Sequence, residues 1–139
     1  MNAYQKSLPP NTTPMDGTMW SIRCHVATTD IEELHQLLCA ENLYAQGLLL
    51  QAGFKLLSWC EHSFTPEGHT RLDLLAESHF AWHTFPETGW TYIEITSCIE
   101  QKRDQLLKLF RADPERFCGI ETGTKTAPPP RIPLSQETR

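Results

Sequence analysis

The chain has 139 residues, 40% of them hydrophobic and 21% charged, with a formal net charge of -5. That length suits one domain with a real core. The acidic balance excludes a dedicated nucleic-acid binder, whose phosphate contacts need clustered Lys and Arg.

No run of about 18 apolar residues is present to span a membrane. Residues 1–20 are polar and Pro-containing, without the basic-then-apolar layout of a secretory signal. Five cysteines (Cys24, Cys39, Cys60, Cys98 and Cys118) form no CxxC pair, and their odd number makes a poor disulfide framework. Reduced thiols, mostly buried as small hydrophobes in a cytoplasmic protein, are the expectation.

In chain order, Pro9, Pro10, Pro14 and Gly17 mark residues 1–17 as a flexible lead-in. Met19–Ala27 alternates Trp20, Ile22, Cys24 and Val26 on one face and predicts a strand. Thr28, Thr29 and Asp30 offer N-caps for a helix that runs to about Ala52, with Gly53 as its C-cap. Phe54–Phe64 predicts a second strand, Pro66-Glu67-Gly68 a turn, and Arg71–Ala76 a third strand. Phe80–Phe85 and Trp90–Ser97 predict two more, split by a turn at Pro86–Gly89. Ile99–Arg111 predicts a last helix, ended by Asp113-Pro114. Residues 119–139, rich in Gly, Thr and Pro, are expected to form a flexible tail beyond a domain of residues 18–118. This order predicts an α+β two-layer sandwich, a mixed or antiparallel sheet with helices on one face.

The chemistry-bearing residues crowd between His62 and Cys98. His79, His83 and Glu87 have a spacing that on a helix would gather three metal ligands. Phe80, Trp82 and Phe85 favour a strand, however, and Pro86 breaks a helix. On a strand His79 and His83 lie about 13 Å apart, too far to chelate one ion, so no metal is expected. The other reading is self-cleavage at Glu77-Ser78. A serine hydroxyl held against the preceding carbonyl can attack it and shift the chain onto its own oxygen as an ester. Loss of the serine Cα proton then expels the Glu77 carboxylate, and hydrolysis leaves a pyruvoyl group. That sequence needs a base, a donor for the oxyanion and a constrained turn.

Leu75-Ala76-Glu77-Ser78-His79, then His83-Thr84-Phe85-Pro86-Glu87, then Cys98 twenty residues after the serine, resembles the small bacterial and archaeal S-adenosylmethionine decarboxylases. Phe64-Thr65-Pro66-Glu67-Gly68 resembles that family's turn before the processing site. The resemblance covers about residues 19 to 111. It implies that Ser78 becomes a pyruvoyl group that forms a Schiff base with a small-molecule amine substrate. It implies that Glu77 ends the β chain, that His83 and Thr70 assist processing, and that Cys98 returns a proton to the substrate carbon. Phe64 is implied to stack on the adenine, with Glu67 beside it. A homodimer of processed αβ protomers is implied, with the site between the two, and a product that donates aminopropyl groups for polyamine synthesis. The covalent pyruvoyl group is the one cofactor, the role pyridoxal phosphate plays elsewhere.

The sequence departs from the family's pattern at Phe80-Ala81-Trp82, at Glu67, at His69 and Arg71 on either side of Thr70, at Thr96-Ser97-Cys98-Ile99, and in the first strand. These changes are expected to surround substrate recognition, with Phe80 and Trp82 crowding a nucleoside pocket. Two other readings therefore stay open. One is a decarboxylase of a free basic amino acid, L-ornithine or L-arginine. The other is a catalytically inactive homologue that binds or regulates a partner decarboxylase. Cys98 as core filler and Phe64 as plain core are the bland readings of those two residues. His79 is expected to serve only the conformation of the cleavage site. His62 and His69 are expected at the surface, and Glu67, Glu87 and Glu94 as solvated charges.

Overall fold

A computed structural model describes residues 16–27 and 44–129. Among them run β1 (Met19–Ala27), α1 (Tyr44–Gln51), β2 (Leu56–Ser63), β3 (His69–Leu75), β4 (Ser78–Phe85), β5 (Trp90–Ser97), α2 (Glu100–Arg111) and β6 (Phe117–Lys125). The lead-in up to Met15, the start of the first helix and the last ten residues lie outside the described residues. No helix among the described residues is long and apolar enough to cross a membrane.

The strands form one sheet in the order β2-β3-β4-β5-β1-β6, and every neighbouring pair is antiparallel. The expected two-layer α+β sandwich is the fold observed. Helix α2 packs across β1 and β5, and α1 packs on α2. The period of two decides which face they cover. Ile22, Cys24 and Val26 of β1, Phe80 and Trp82 of β4, and Ile93 and Ile95 of β5 form the core with Leu48, Leu49, Leu106 and Phe110. Arg103, buried on the same side of α2, donates to the carbonyls of Ser21 and Gly123 at 3.3 Å each. It ties the helix to β1 and β6 and satisfies two carbonyls beneath it.

Two turns fix the ends of β2. Gly53 takes φ +90 after α1, a conformation that side chains disfavour, and lets the chain reverse into β2. Gly68 takes φ +105, and its carbonyl accepts the Phe64 N–H at 2.8 Å, closing the β2–β3 turn.

One expectation needs correction. The flexible tail does not begin at residue 119, because Phe117–Lys125 is the edge strand β6, paired along β1. Its Gly and Thr content hides a strand whose partners come from elsewhere in the chain. The buried face of β3 carries charge. Arg71 and Asp73 are buried and joined at 2.8 Å, while Leu72 and Leu74 are exposed. Burial without full solvation raises the Asp73 carboxyl above its usual range, against the pull of Arg71.

Candidate active site

The β3–β4 hairpin places the Glu77-Ser78 bond. Leu75 pairs with Ser78, so Ala76 and Glu77 form a two-residue connection with little freedom. Glu77 is only 4% exposed. Its carbonyl oxygen accepts the backbone N–H of Cys98 at 3.1 Å. Its side chain pairs with the Lys102 ammonium and accepts the Lys55 N–H at 3.4 Å. The N–H of Ala76 donates to the Lys55 carbonyl at 2.9 Å. The residue before the Glu77-Ser78 bond is thus held through both backbone and side chain.

The serine is held from the other side. Ser78 Oγ makes a short contact with Thr96 Oγ1 and lies 3.3 Å from His79 Nδ1. Thr96 Oγ1 is also 3.3 Å from that nitrogen, so the three side chains form a closed triangle. With Nδ1 unprotonated, the imidazole can accept the serine proton, directly or through Thr96. Cys98 sits at the junction of β5 and α2, fixed by buried Ser97. The Ser97 hydroxyl donates to the Ile99 carbonyl at 2.8 Å and accepts the Ile99 N–H at 2.9 Å. Cys98 is half-buried, not core filler.

Thr70, His83, Phe64 and Glu67 gather at the opposite end of the sheet. Thr70 is the register partner of His83, and its Oγ1 lies 2.9 Å from His83 Nδ1. His83 also stacks on Tyr92, with ring centroids 6.2 Å apart. Burial, then the hydrogen bond to Glu94, pushes the Tyr92 hydroxyl up to about 12. Phe64 is 52% exposed, so it is not core, and Glu67 is exposed in the same turn. Ser78 and His83 are five residues apart on β4, about 17 Å at the rise of a strand. Each half of the expected site is assembled, and one chain does not bring the halves together.

Four of the departures from the family's pattern fall elsewhere than expected. Phe80 and Trp82 are buried beneath the helices at about 1% exposure or less, on the face away from Thr70, His79 and His83. His69 and Arg71 share that buried face. His69 is therefore not a surface histidine. Its ring meets Glu61 at 3.0 Å and Ser63 at 2.7 Å, and packs 5.1 Å from Trp82. These four changes repack the interior and leave the open face unaltered.

Sequence reasoning missed Thr96 and Lys102. Thr96 was visible only as a departure, although its place two residues before Cys98 puts it on the open face. Lys102 reads as an ordinary helix charge until its ion pair with Glu77 is seen. Of the four described cysteines only Cys24 is buried, contrary to the general expectation for the thiols.

Comparisons with known proteins give the family and support the fold. Residues 29–115, more than half of the chain, match the family model described as S-adenosylmethionine decarboxylase. The chain belongs to that family. It is similar to the S-adenosylmethionine decarboxylase proenzyme of Prochlorococcus marinus (strain MIT 9211), 46% identical over 50 residues, covering 36% of this chain and 41% of the relative. It is also similar to the proenzyme of Synechococcus sp. (strain WH7803), 48% identical over 48 residues, covering 34% and 38%. Over these and two further curated relatives, the match spans 38% to 51% of the relative's own length. The crystal structure of the adenosylmethionine decarboxylase from Aquifex aeolicus VF5 superposes with a TM-score of 0.55 at 22% identity, over 82% of this chain and 92% of that one. That likeness speaks for the fold.

Proposed function

We propose that this chain is a proenzyme that cuts itself between Glu77 and Ser78, converts Ser78 into a pyruvoyl group, and decarboxylates S-adenosylmethionine. The observation that carries the reading is the geometry at the bond to be cut. The Glu77 carbonyl already accepts the Cys98 N–H at 3.1 Å, and Ser78 Oγ is held by Thr96 beside His79.

The steps follow from those contacts. Ser78 Oγ bonds to the Glu77 carbonyl carbon as its proton passes to the Thr96–His79 pair. The oxygen takes up negative charge against the Cys98 N–H, an oxyanion donor in place before reaction. The C–N bond then breaks, the Ser78 nitrogen takes a proton, and Glu77 is left as an ester on Ser78. Removal of the Ser78 Cα proton breaks the Cβ–O bond and expels Glu77 as a carboxylate. Water addition and loss of ammonia complete the residue's conversion. His83, oriented by Thr70, is the base for the Cα proton. Because it lies about 17 Å along the same strand, it must come from a second copy. The open sheet face supports that pairing, since it exposes Leu72, Leu74, Phe85 and Trp90, an apolar surface that a second copy would cover.

The group formed at Ser78 supplies an electron sink for the carbon that loses CO2, so no diffusible cofactor is required. The chain's own residues do the rest. Cys98, at the junction next to Ser78, delivers the proton to that carbon. Phe64 offers an exposed ring for the adenine, with Glu67 at its side. The motive for a free amino acid as substrate was pocket crowding by Phe80 and Trp82, and both lie in the core. The intact contacts around Ser78 likewise disfavour an inactive binding homologue.

Intact-mass spectrometry of the purified protein is the first test. The expected result is two fragments meeting at 77/78, the second with a blocked N-terminus, while Ser78→Ala stays whole. CO2 release is then measured with S-adenosylmethionine, L-ornithine and L-arginine. A whole wild-type chain overturns self-processing. Turnover of an amino acid without S-adenosylmethionine overturns the substrate.

A further inference from the structure

We propose that Lys102 is a positioning residue for self-cleavage, acting through the Glu77 side chain. The inference rests on the self-processing reading and extends it to a residue outside the motif.

Lys102 stands in the first turn of α2, where the helix dipole disfavours a cation. Its ammonium turns away from solvent to pair with the Glu77 carboxylate, leaving the side chain 18% exposed against 3% for that of Glu77. Its stem passes beside Gly53, where an added Cβ would lie in ordinary contact, 3.6 to 4.0 Å from three of the Lys102 side-chain carbons. The other carboxylate oxygen of Glu77 accepts the Lys55 N–H. The carboxylate is therefore fixed between the start of α2 and the entry to β2.

The consequence lies in the backbone of the same residue. The Glu77 carbonyl must keep its hydrogen bond with the Cys98 N–H while Ser78 Oγ approaches its carbon. A free glutamate side chain would let the two-residue connection rock about the hairpin. With the carboxylate pinned, the carbonyl can turn only within the reach of that N–H. A buried carboxylate without a cation would also pull the connection outward to regain water. After the cut Glu77 carries a second carboxylate, its new chain terminus. Lys102 touches none of the reacting atoms. It sets where the carbonyl is.

The test follows the cut by intact mass after cell-free synthesis of the full chain, with thermal melting of Ser78→Ala versions to report folding. Lys102→Met should slow cleavage by about ten- to a hundredfold, the range expected when a buried carboxylate is deprived of its charge-assisted hydrogen bond. Lys102→Arg, which keeps the charge, should cut within about threefold of wild type. Glu77→Gln with Lys102→Met leaves no buried charge and should cut no more slowly than Glu77→Gln alone. The double variant decides the matter should Lys102→Met not fold. The role is overturned if Lys102→Met cuts at the wild-type rate, if Lys102→Arg is as slow as Lys102→Met, or if the double variant is slower than Glu77→Gln. A wild-type chain that never cuts overturns self-cleavage itself, and this role with it. A wild-type chain that cuts, beside an equally fast Lys102→Met chain, overturns the positioning role alone.

Discussion

Mixing two dead variants measures whether the site is shared between chains. Ser78→Ala lacks the bond-forming hydroxyl, and His83→Ala lacks the base for the Cα proton. Each alone should stay unprocessed. In a mixed dimer, one of the two sites combines the intact Ser78 of one chain with the intact His83 of the other. The distance makes the prediction sharp, because about 17 Å along β4 separates the two residues and a base must come within about 3 Å of the proton it takes. No side-chain rotation closes that gap, and β4 is paired on both edges, so it does not bend. With equal, random pairing, about half of the His83→Ala chains should sit in mixed dimers and be converted, and none of the Ser78→Ala chains. Co-expression with two different tags and intact mass of each chain gives the fraction. If the mixture stays whole while wild type is processed, the shared site is wrong. If His83→Ala alone is processed at the wild-type rate, His83 has no part in processing.

Two further outcomes follow from burial. Trp82→Ala should lose about 3 to 5 kcal/mol of stability in urea unfolding, the cost of a large cavity in a closed core. Phe64→Ala, on an exposed ring, should shift stability by about 0.5 kcal/mol or less while raising KM for S-adenosylmethionine. The reverse pattern would restore Trp82 to the pocket. Burial pushes the Cys24 thiol up to about 12, so at pH 8 it should resist iodoacetamide until the chain unfolds. Exposed Cys60 should react at once. Early labelling of Cys24, read by peptide mass, would contradict its place in the core.

Much of the fold could be read from alternation. β1 and β5 end where the sequence places their limits, because apolar and polar residues alternate cleanly against one buried face. β6 escaped because its apolar residues, Phe117 and Ile120, fall at its start and do not alternate, and the Gly, Thr and Glu that follow give no strand signal without the partner β1. In β3, Arg71 and Asp73 pair inside, and Leu72 and Leu74 face outward. Ser78, His83 and Cys98 were legible as candidates through their spacing and the resemblance it carries. Their division between two ends of the sheet was not, because spacing says nothing of direction until the strand is drawn. That same gap placed Phe80 and Trp82 in a pocket when their parity along β4 puts them in the core.

The strand order gives the proposed cut before Ser78 a mechanical meaning. The leading fragment owns β1, β2 and β3, and the trailing fragment owns β4, β5 and β6. In the sheet the leading fragment's β1 is wedged between two strands of the trailing one. The pieces interlock as two hands with crossed fingers, joined along β3–β4, β5–β1 and β1–β6. A break in the covalent chain therefore releases nothing. It would convert a single polypeptide into a woven pair that only unfolding can part, and would leave the new end of the trailing fragment seated in β4.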